Sequence, residues 1–283
     1  MLSAGPGTLT VAGELRINRL GFGAMRLTGP AAYGPPADRG LALAVLRRAV
    51  EAGVNFIDTA DVYGPEVSEE LIAAALSPYP DGLVIATKGG NVRLGHMQWE
   101  PNGHPDHLRS ACEGSLRRLR LDQLSLYQWH RPDPKVPFDE SLGALIALRD
   151  EGKIRHIGLS NVDTAQLRRA QQLTPVASVQ VRYNPVDRAA DQLLDACESD
   201  GMAFVPWGPI SDPGASDAVL RVAERRGVSA QRVTLAWLLA RSPVMVPIPG
   251  TASLEHLDDN MAAASLRLDD DEFDSIAQGS LQL

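Results

Sequence analysis

GVNFIDTADVYG (residues 53–64) decides the fold. Its apolar run FIDTA (56–60) is too short for a helix, yet it lies between two amphipathic stretches, ADRGLALAVLRRAVEAG (37–53) and EVSEELIAAALS (66–77). A short apolar run between helical patterns reads as a strand covered on both faces, as in a parallel sheet. The alternation continues outward in both directions. LGFGAM (20–25) precedes the run, and VIATK (84–88), LSLYQWH (124–130), HIGLSN (156–161), SVQVRYN (178–184), AFVPW (203–207) and VMVPIPG (244–250) follow it. Helical patterns fill the gaps at 106–120, 139–152, 162–173, 189–201, 229–242 and 253–264. Several open on Asp or Ser and close near Gly, including Asp139 to Gly152 and Asp191 to Gly201, as capped helices do. Eight strand-helix units in 283 residues predict one α/β domain over residues 1–283, a closed (β/α)8 TIM barrel, because closure leaves no exposed sheet edge.

Three pieces fall outside the repeating unit. TLTVAGELRI (8–17) alternates like a two-stranded hairpin and is expected to cap the barrel floor, while 215–227 and 268–278 read as two extra helices. A hydrophobic content of 44% with 22% charged residues excludes a disordered chain. The net charge of −8 argues against a nucleic-acid partner; in the one basic stretch, LRRLR (116–120), helical spacing turns Leu116 and Leu119 inward and leaves Arg117, Arg118 and Arg120 solvated. No basic-then-apolar leader and no long apolar window occurs, so a cytoplasmic protein with no membrane contact is expected. Cys112 and Cys197 lie in helical patterns among apolar neighbours and are expected to be buried, reduced thiols. Nothing in the sequence argues for an obligate dimer, and a monomer is expected.

Four polar residues carry the chemistry. Asp58 lies inside FIDTA, Tyr63 in the turn after it, Lys88 at the end of VIATK and His130 at the end of LSLYQWH. In a barrel of parallel strands these positions gather at the carboxyl rim, where active sites lie. Reduction of a carbonyl by hydride needs a proton donor for the developing alkoxide, and Tyr63 is the donor the set provides. A neighbouring ammonium lowers a phenol's pKa, which assigns Lys88, and Asp58 would hold that ammonium by a buried ion pair. His130 could orient the carbonyl oxygen and stabilise its growing charge. Each residue alone has a structural alternative: a turn cap, a buried ring, an exposed lysine, a strand-end histidine. Their joint occurrence on three consecutive strands favours the catalytic reading.

Here the chain resembles the aldo-keto reductase family almost end to end. The resemblance rests on GVNFIDTADVYG, IATK (85–88), YQWHRPDP (127–134), GKIRHIGLSN (152–161), VQVRYN (179–184) and VPIPGTASLEHLDDN (246–260). It implies a catalytic tetrad of Asp58, Tyr63, Lys88 and His130, and NADPH held in the barrel mouth. By position, Ser160, Asn161 and Gln180 would bond the nicotinamide carboxamide and Trp207 would stack on the nicotinamide ring. Gly23, Ala24, Met25 and Asp58 would be further cofactor contacts. Gly208, Pro209, Ile210 and Ser211, with Ile248, Pro249, Gly250 and Thr251, would line the pyrophosphate and ribose, and Asp259 and Asn260 would hold the adenine. Family members usually place Lys or Arg near the adenosine 2′-phosphate, but between Arg241 and Arg267 this chain has only His256, which leaves NADH as an alternative. The loop after the seventh strand, GPISDPGASDA (208–218), is short for the family, which implies a loose cofactor clasp.

A small-molecule carbonyl substrate is the implied partner. Met25, Tyr33, Trp99, Trp129 and Trp207 are expected to form a mostly apolar mouth suited to aromatic or aliphatic aldehydes. Few residues follow the last barrel helix, which implies an open site, and GFGAMRLTGPAAYGPPADR (21–39) is similar to the subgroup containing bacterial pyridoxal reductases, which makes pyridoxal a candidate substrate. Other readings are weaker. GFGAMR (21–26) nearly spells a dinucleotide fingerprint, but Arg26 occupies the third glycine position. His104 and His107 sit in a Pro/Gly-rich loop with no third ligand nearby, and no metal is expected. A barrel that binds the nucleotide as a sensor without turnover is the remaining alternative.

Overall fold

The computed structural model describes residues 7–96, 98–211 and 216–279. The chain opens with an antiparallel hairpin, β1 (Thr8–Val11) and β2 (Leu15–Asn18), with Val11 opposite Leu15. Ala12 and Gly13 both take left-handed backbone angles in its turn, a conformation glycine adopts without strain. The expected floor cap is present: Val11, Leu15 and Ile17 pack in one buried cluster with interior residues of the barrel strands.

The strands are β3 (Phe22–Gly23), β4 (Phe56–Asp58), β5 (Val84–Gly89), an outlying pair β6 (Asn91–Gly95) and β7 (Gln98–Pro101), then β8 (Leu124–Trp129), β9 (Ile154–Ser160), β10 (Ser178–Arg182) and β11 (Ala203–Trp207). Seven form one parallel sheet in the order β11-β10-β9-β8-β5-β4-β3. Residues 244–250 close it without forming a regular strand. On one side Phe204 N donates to Val244 O (2.9 Å) and Val246 N to Phe204 O (2.8 Å); on the other, Gly21 N donates to Pro247 O (3.0 Å) and Gly23 N to Pro249 O (3.3 Å). Pro247 and Pro249 have no N–H to return, so this eighth stave accepts from β3 without donating there.

The helices are α1 (Arg39–Glu51), α2 (Val67–Leu76), α3 (Pro105–Leu119), α4 (Phe138–Asp150), α5 (Thr164–Leu173), α6 (Asp191–Asp200), α7 (Asp217–Arg226), α8 (Ala230–Arg241), α9 (Leu254–Ala262) and α10 (Asp270–Gly279). The extra helices expected at 215–227 and 268–278 are α7 and α10, with Ala215 itself outside the described residues. Asp38, Asp163, Ser216, Ser229 and Ser253 cap their helices through side-chain oxygens. Asp139 and Asp191 do not. Both lie inside their helices, Asp139 paired with Arg169 and Asp191 accepting from Tyr183 Oη (2.6 Å). Among the described residues no helix is long and apolar enough to cross a membrane.

Two cores result from strand alternation. Outward-facing residues such as Ile57, Ile85, Tyr127 and Leu159 meet the helices, and inward-facing Phe56, Val84, Leu126, Val205 and Val246 fill the lower barrel. Burying each such side chain contributes about 1.5–3 kcal/mol. One rung higher the inward residues are Asp58, Lys88, Gln128, Ser160 and Gln180, all buried. A polar layer therefore sits on an apolar plug. Cys112 and Cys197 are buried and unpaired, and burial pushes both thiols up to about 12. Arg118 departs from the solvated face expected of it: it turns inward to Glu69 (2.7 Å) and Glu66 (3.0 Å), because Glu69 is wholly buried and needs a cation.

Candidate active site

Lys88 is the centre of the polar layer. Its Nζ donates to Asp58 Oδ1 (2.5 Å) and to Thr59 O (2.9 Å), with both side chains almost wholly buried. The other carboxylate oxygen, Oδ2, accepts from Gln128 Nε2 (2.9 Å) and Gln180 Nε2 (2.7 Å). Gln128 has room to turn inward toward it because Gly158, its register partner on β9, has no side chain: a Cβ there would lie 2.8 Å from Gln128 Cγ and 2.4 Å from Ser178 Oγ. The charge pair is thus held by a backbone carbonyl and two amides, as a buried ion pair requires.

Tyr63 and His130 stand above this pair. Lys88 Nζ lies 5.2 Å from the Tyr63 ring centroid, and the Tyr63 and His130 rings meet edge to face at 6.0 Å and 88°. His130 N donates to Gly89 O (2.8 Å) and its carbonyl accepts from Asn161 Nδ2 (2.9 Å), which fixes the backbone beneath the imidazole. The four residues expected to converge do so.

Burial dominates the acid-base balance. It raises the Tyr63 phenol above its ordinary value of 10.0, while Lys88 pulls in the opposite direction without prevailing. The expectation of a lowered tyrosine pKa is therefore corrected: the hydroxyl keeps its proton. For Lys88 burial favours the neutral amine, but the charge of Asp58, with the Tyr63 hydroxyl beside it, outweighs burial and the ammonium is held above 10.5. Burial, followed by the charges of Lys88 and Arg131, holds the His130 imidazole well below 6.5. At neutral pH the rim carries a protonated phenol, an ammonium paired with a carboxylate, and a neutral imidazole.

A cavity of about 920 Å³ opens over these groups, at the large end for a small-molecule site. Its wall includes Gly23, Met25, Asp58, Tyr63, Trp99, His130, Ser160, Asn161 and Gln180, then Trp207 to Ser211, Ile248, Gly250, Thr251 and His256. Residues 212–215 of the loop after β11 lie outside the described residues. The donor set suits a nicotinamide nucleotide. Trp207 offers an indole whose Nε1 donates to Asn161 Oδ1 (3.1 Å), and α9 begins at the Thr251–Ser253 turn, where Thr251 Oγ1 accepts from Ser253 N (3.0 Å). A helix start presents N–H groups and positive partial charge to a phosphate.

Several expected contacts are placed elsewhere. Trp129 is fully buried against Phe138 (ring centroids 5.0 Å), because it faces away from the barrel interior that its neighbours Gln128 and His130 face. Tyr33 stands behind the wall, against His96 and Arg93. Ala24, Pro249, Asp259 and Asn260 do not line the cavity; Asp259 turns to Ser229 Oγ and Arg232 Nη2, and Asn260 is buried. Asn161 spends its amide on His130 O, Ser160 Oγ and Trp207 Nε1, so it braces its neighbours. Gln180 gives its Nε2 to Asp58 and Gln128, leaving only its carbonyl oxygen for a ligand.

The structure also adds residues the sequence reading missed. Gln128 could have been found from its alternation with His130. Arg26 and Arg131 line the cavity, and a Cβ on Gly250 would lie 3.4 Å from Arg26 Cγ. Arg26 thus adds a basic side chain to the cavity wall beside Gly250, on the side where His256 is the only basic residue between Arg241 and Arg267. His104 and His107 have structural roles: His104 Nδ1 accepts from Asp106 N (3.3 Å) at the start of α3, and His107 Nε2 lies 3.2 Å from Asn91 O.

The sequence matches the Aldo/keto reductase family over residues 19–220 and 214–280. An uncharacterized oxidoreductase of Schizosaccharomyces pombe is 46% identical over 273 residues, covering 94% of this chain and 88% of its own. Pyridoxine 4-dehydrogenase of Escherichia coli is 42% identical over 268 residues, covering 92% and 93%. A solved aldo/keto reductase of Klebsiella pneumoniae, in complex with NADP and acetate, has a TM-score of 0.80 at 28% identity and covers 96% of this chain and 94% of its own. Matches that run through every barrel stave join a closed parallel barrel and its rim of acid-base groups, and the chain belongs to the aldo/keto reductase family of oxidoreductases.

Proposed function

We propose that the chain catalyses NADPH-dependent reduction of aldehydes to alcohols, with pyridoxal among its substrates. The observation that carries the reading is the buried Lys88–Asp58 pair at 2.5 Å directly beneath a protonated Tyr63 and a neutral His130. Bound NADPH supplies the hydride. Trp207, braced by Asn161, offers the flat face for the nicotinamide, and the start of α9 with Arg26 and His256 faces the phosphates. A carbonyl oxygen in the cavity over Tyr63 and His130 accepts a hydrogen bond from each. As negative charge develops there, Tyr63 gives up its proton and Lys88 stabilises the phenolate left behind. Asp58 keeps Lys88 charged and in place for that moment. The 42% identity to pyridoxine 4-dehydrogenase supports pyridoxal as the carbonyl partner, and the family's use of NADPH supports the nucleotide.

The test follows the loss of reduced-nicotinamide absorbance with pyridoxal and with 4-nitrobenzaldehyde, using NADPH and NADH in parallel. Tyr63→Phe is expected to lower kcat by about 10²–10⁴-fold, the usual contribution of a positioned general acid. Binding of NADPH to that variant, read by tryptophan fluorescence, is expected to stay as in the wild type. Undiminished turnover by Tyr63→Phe would remove Tyr63 as the donor.

A further inference from the structure

The β6–β7 hairpin carries Trp99 into the cavity wall, and one side chain decides how firmly it sits there. Arg93 is Trp99's cross-strand partner, and its guanidinium lies 3.9 Å from the Trp99 ring centroid. The same guanidinium lies 5.3 Å from the Tyr33 ring, so it stands between two aromatic faces on different loops. Its fork is anchored at both ends. Arg93 Nε donates to Gly95 O (2.8 Å) in its own hairpin, and Nη2 donates to Ala31 O (2.6 Å) in the loop after β3.

That second loop leads directly to the proton donor. Ala31 and Ala32 both take left-handed backbone angles (φ 57° and 54°), which non-glycine residues hold only when their surroundings enforce it. Arg93 grips one of the two carbonyls, and Gly64 N, one residue beyond Tyr63, grips the other at 3.0 Å. Gly34 N returns a bond to Gly64 O (2.8 Å). A continuous set of contacts therefore runs from the Trp99 indole through Arg93 and Ala31–Ala32 to the turn holding Tyr63. These contacts link the position of the Trp99 indole to that of the turn holding Tyr63.

We propose that Arg93 is a specificity-determining positioning residue: it clasps the hairpin to the loop after β3 and holds the Trp99 indole as a rigid wall, selecting flat aromatic carbonyl substrates over small aliphatic ones. The inference rests on the carbonyl-reduction reading above. A guanidinium suits this task better than an ammonium, because its planar fork stacks on a ring and bonds two carbonyls at once. Arg93 itself does not line the cavity, so its influence passes through Trp99.

The experiment compares wild type, Arg93→Leu, Arg93→Lys, Trp99→Leu and the Arg93→Leu/Trp99→Leu pair, with NADPH and either 4-nitrobenzaldehyde or propanal. Trp99→Leu and Arg93→Leu are each expected to raise KM for the aromatic aldehyde roughly tenfold, the scale of one aromatic contact, with kcat little changed. In Arg93→Leu the propanal constants and the NADPH Kd from calorimetry are expected to stay near wild type. The double variant should be no worse than Trp99→Leu alone, and Arg93→Lys should fall between wild type and Arg93→Leu. An unchanged aromatic KM in Arg93→Leu, equal losses for both aldehydes, or additive losses in the double variant would overturn the proposal. Should Arg93→Leu fail to fold, Arg93→Lys and Trp99→Leu carry the same comparison, and a wild-type-like aromatic KM in Arg93→Lys would then overturn it. A wild-type protein that binds NADPH but reduces neither aldehyde would instead refute the carbonyl-reduction reading on which the clasp depends.

Discussion

Replacing Lys88 by Met removes one member of a buried ion pair while keeping the side chain's length, and the structure sets the size of the effect. The Lys88 side chain is wholly buried, Asp58 is almost so, and the pair is made at 2.5 Å. Removing one partner of such a pair costs about 3–5 kcal/mol, because the other is left charged and out of water. Thr59 O also loses its bond from Lys88 Nζ, although Gln128 and Gln180 continue to donate to Asp58. With an unfolding entropy of roughly 2 cal/mol/K per residue, a chain of 283 residues should melt about 5–8 °C lower. Adding Asp58→Asn to Lys88→Met removes the stranded charge and should recover part of that loss.

The dependence on pH follows from the direction of the Lys88 shift. Its folded pKa is raised above 10.5, so the stabilisation is fully present below 10.5 and is lost as pH rises through the folded value. The gap in melting temperature between wild type and Lys88→Met should therefore be constant from neutral pH upward and narrow only above 10.5. Calorimetric scans of the two single variants and the double variant test this directly. A Lys88→Met protein melting within about 1 °C of wild type, or a double variant showing the sum of the single losses, would mean that the pair is not the buried unit described here.

Other outcomes follow from the same geometry. Reductive kcat/KM should be flat between the ordinary histidine and tyrosine values of 6.5 and 10.0, because His130 is neutral across that range and Tyr63 keeps its proton; a limb inside it would contradict both assignments. Gly158→Ala should destabilise by about 1–3 kcal/mol through the contacts its Cβ would make with Gln128 and Ser178, and an unchanged melting curve would show that Gln128 can move aside at no cost. Arg26→Ala should weaken NADPH binding by about 10- to 100-fold and NADH binding much less if this guanidinium meets the 2′-phosphate; equal losses would place it on the pyrophosphate that both nucleotides share.

Legibility in the sequence followed the regularity of each element. Asp58, Lys88 and His130 were readable because each lies in or at the end of a short apolar run, and parallel strands bring such ends to one rim. The period of two should also have separated their neighbours. If His130 faces inward, Trp129 must face the helices and Gln128 must face inward, which is the arrangement found. The β6–β7 hairpin gave no such signal. Neither strand alternates between apolar and polar residues as a half-buried strand does, and a register irregularity between Arg93 and Gly95 interrupts their pairing. The direction of the Asp259 carboxylate was not legible, because it is set by Ser229 and Arg232, both distant in sequence.

The remaining difference concerns where charge is kept. By motif, the tyrosine and its lysine looked like an activated acid, with the ammonium lowering the phenol's pKa. Burial reverses the net direction for the phenol, while for Lys88 the charge of Asp58 overcomes burial, so the site stores a proton on Tyr63 and a cation on Lys88 together. A phenol with a raised pKa is a poor donor to a neutral ligand but a sufficient one to an alkoxide, whose proton affinity is higher still. On the reaction proposed above, the proton would leave only once hydride transfer has begun, and Lys88, already charged and fixed by Asp58, would stabilise the phenolate without rearrangement. Coupling the two transfers in this way would require the polar layer to stay dry, and the apolar plug of Phe56, Val84, Leu126, Val205 and Val246 seals it from below.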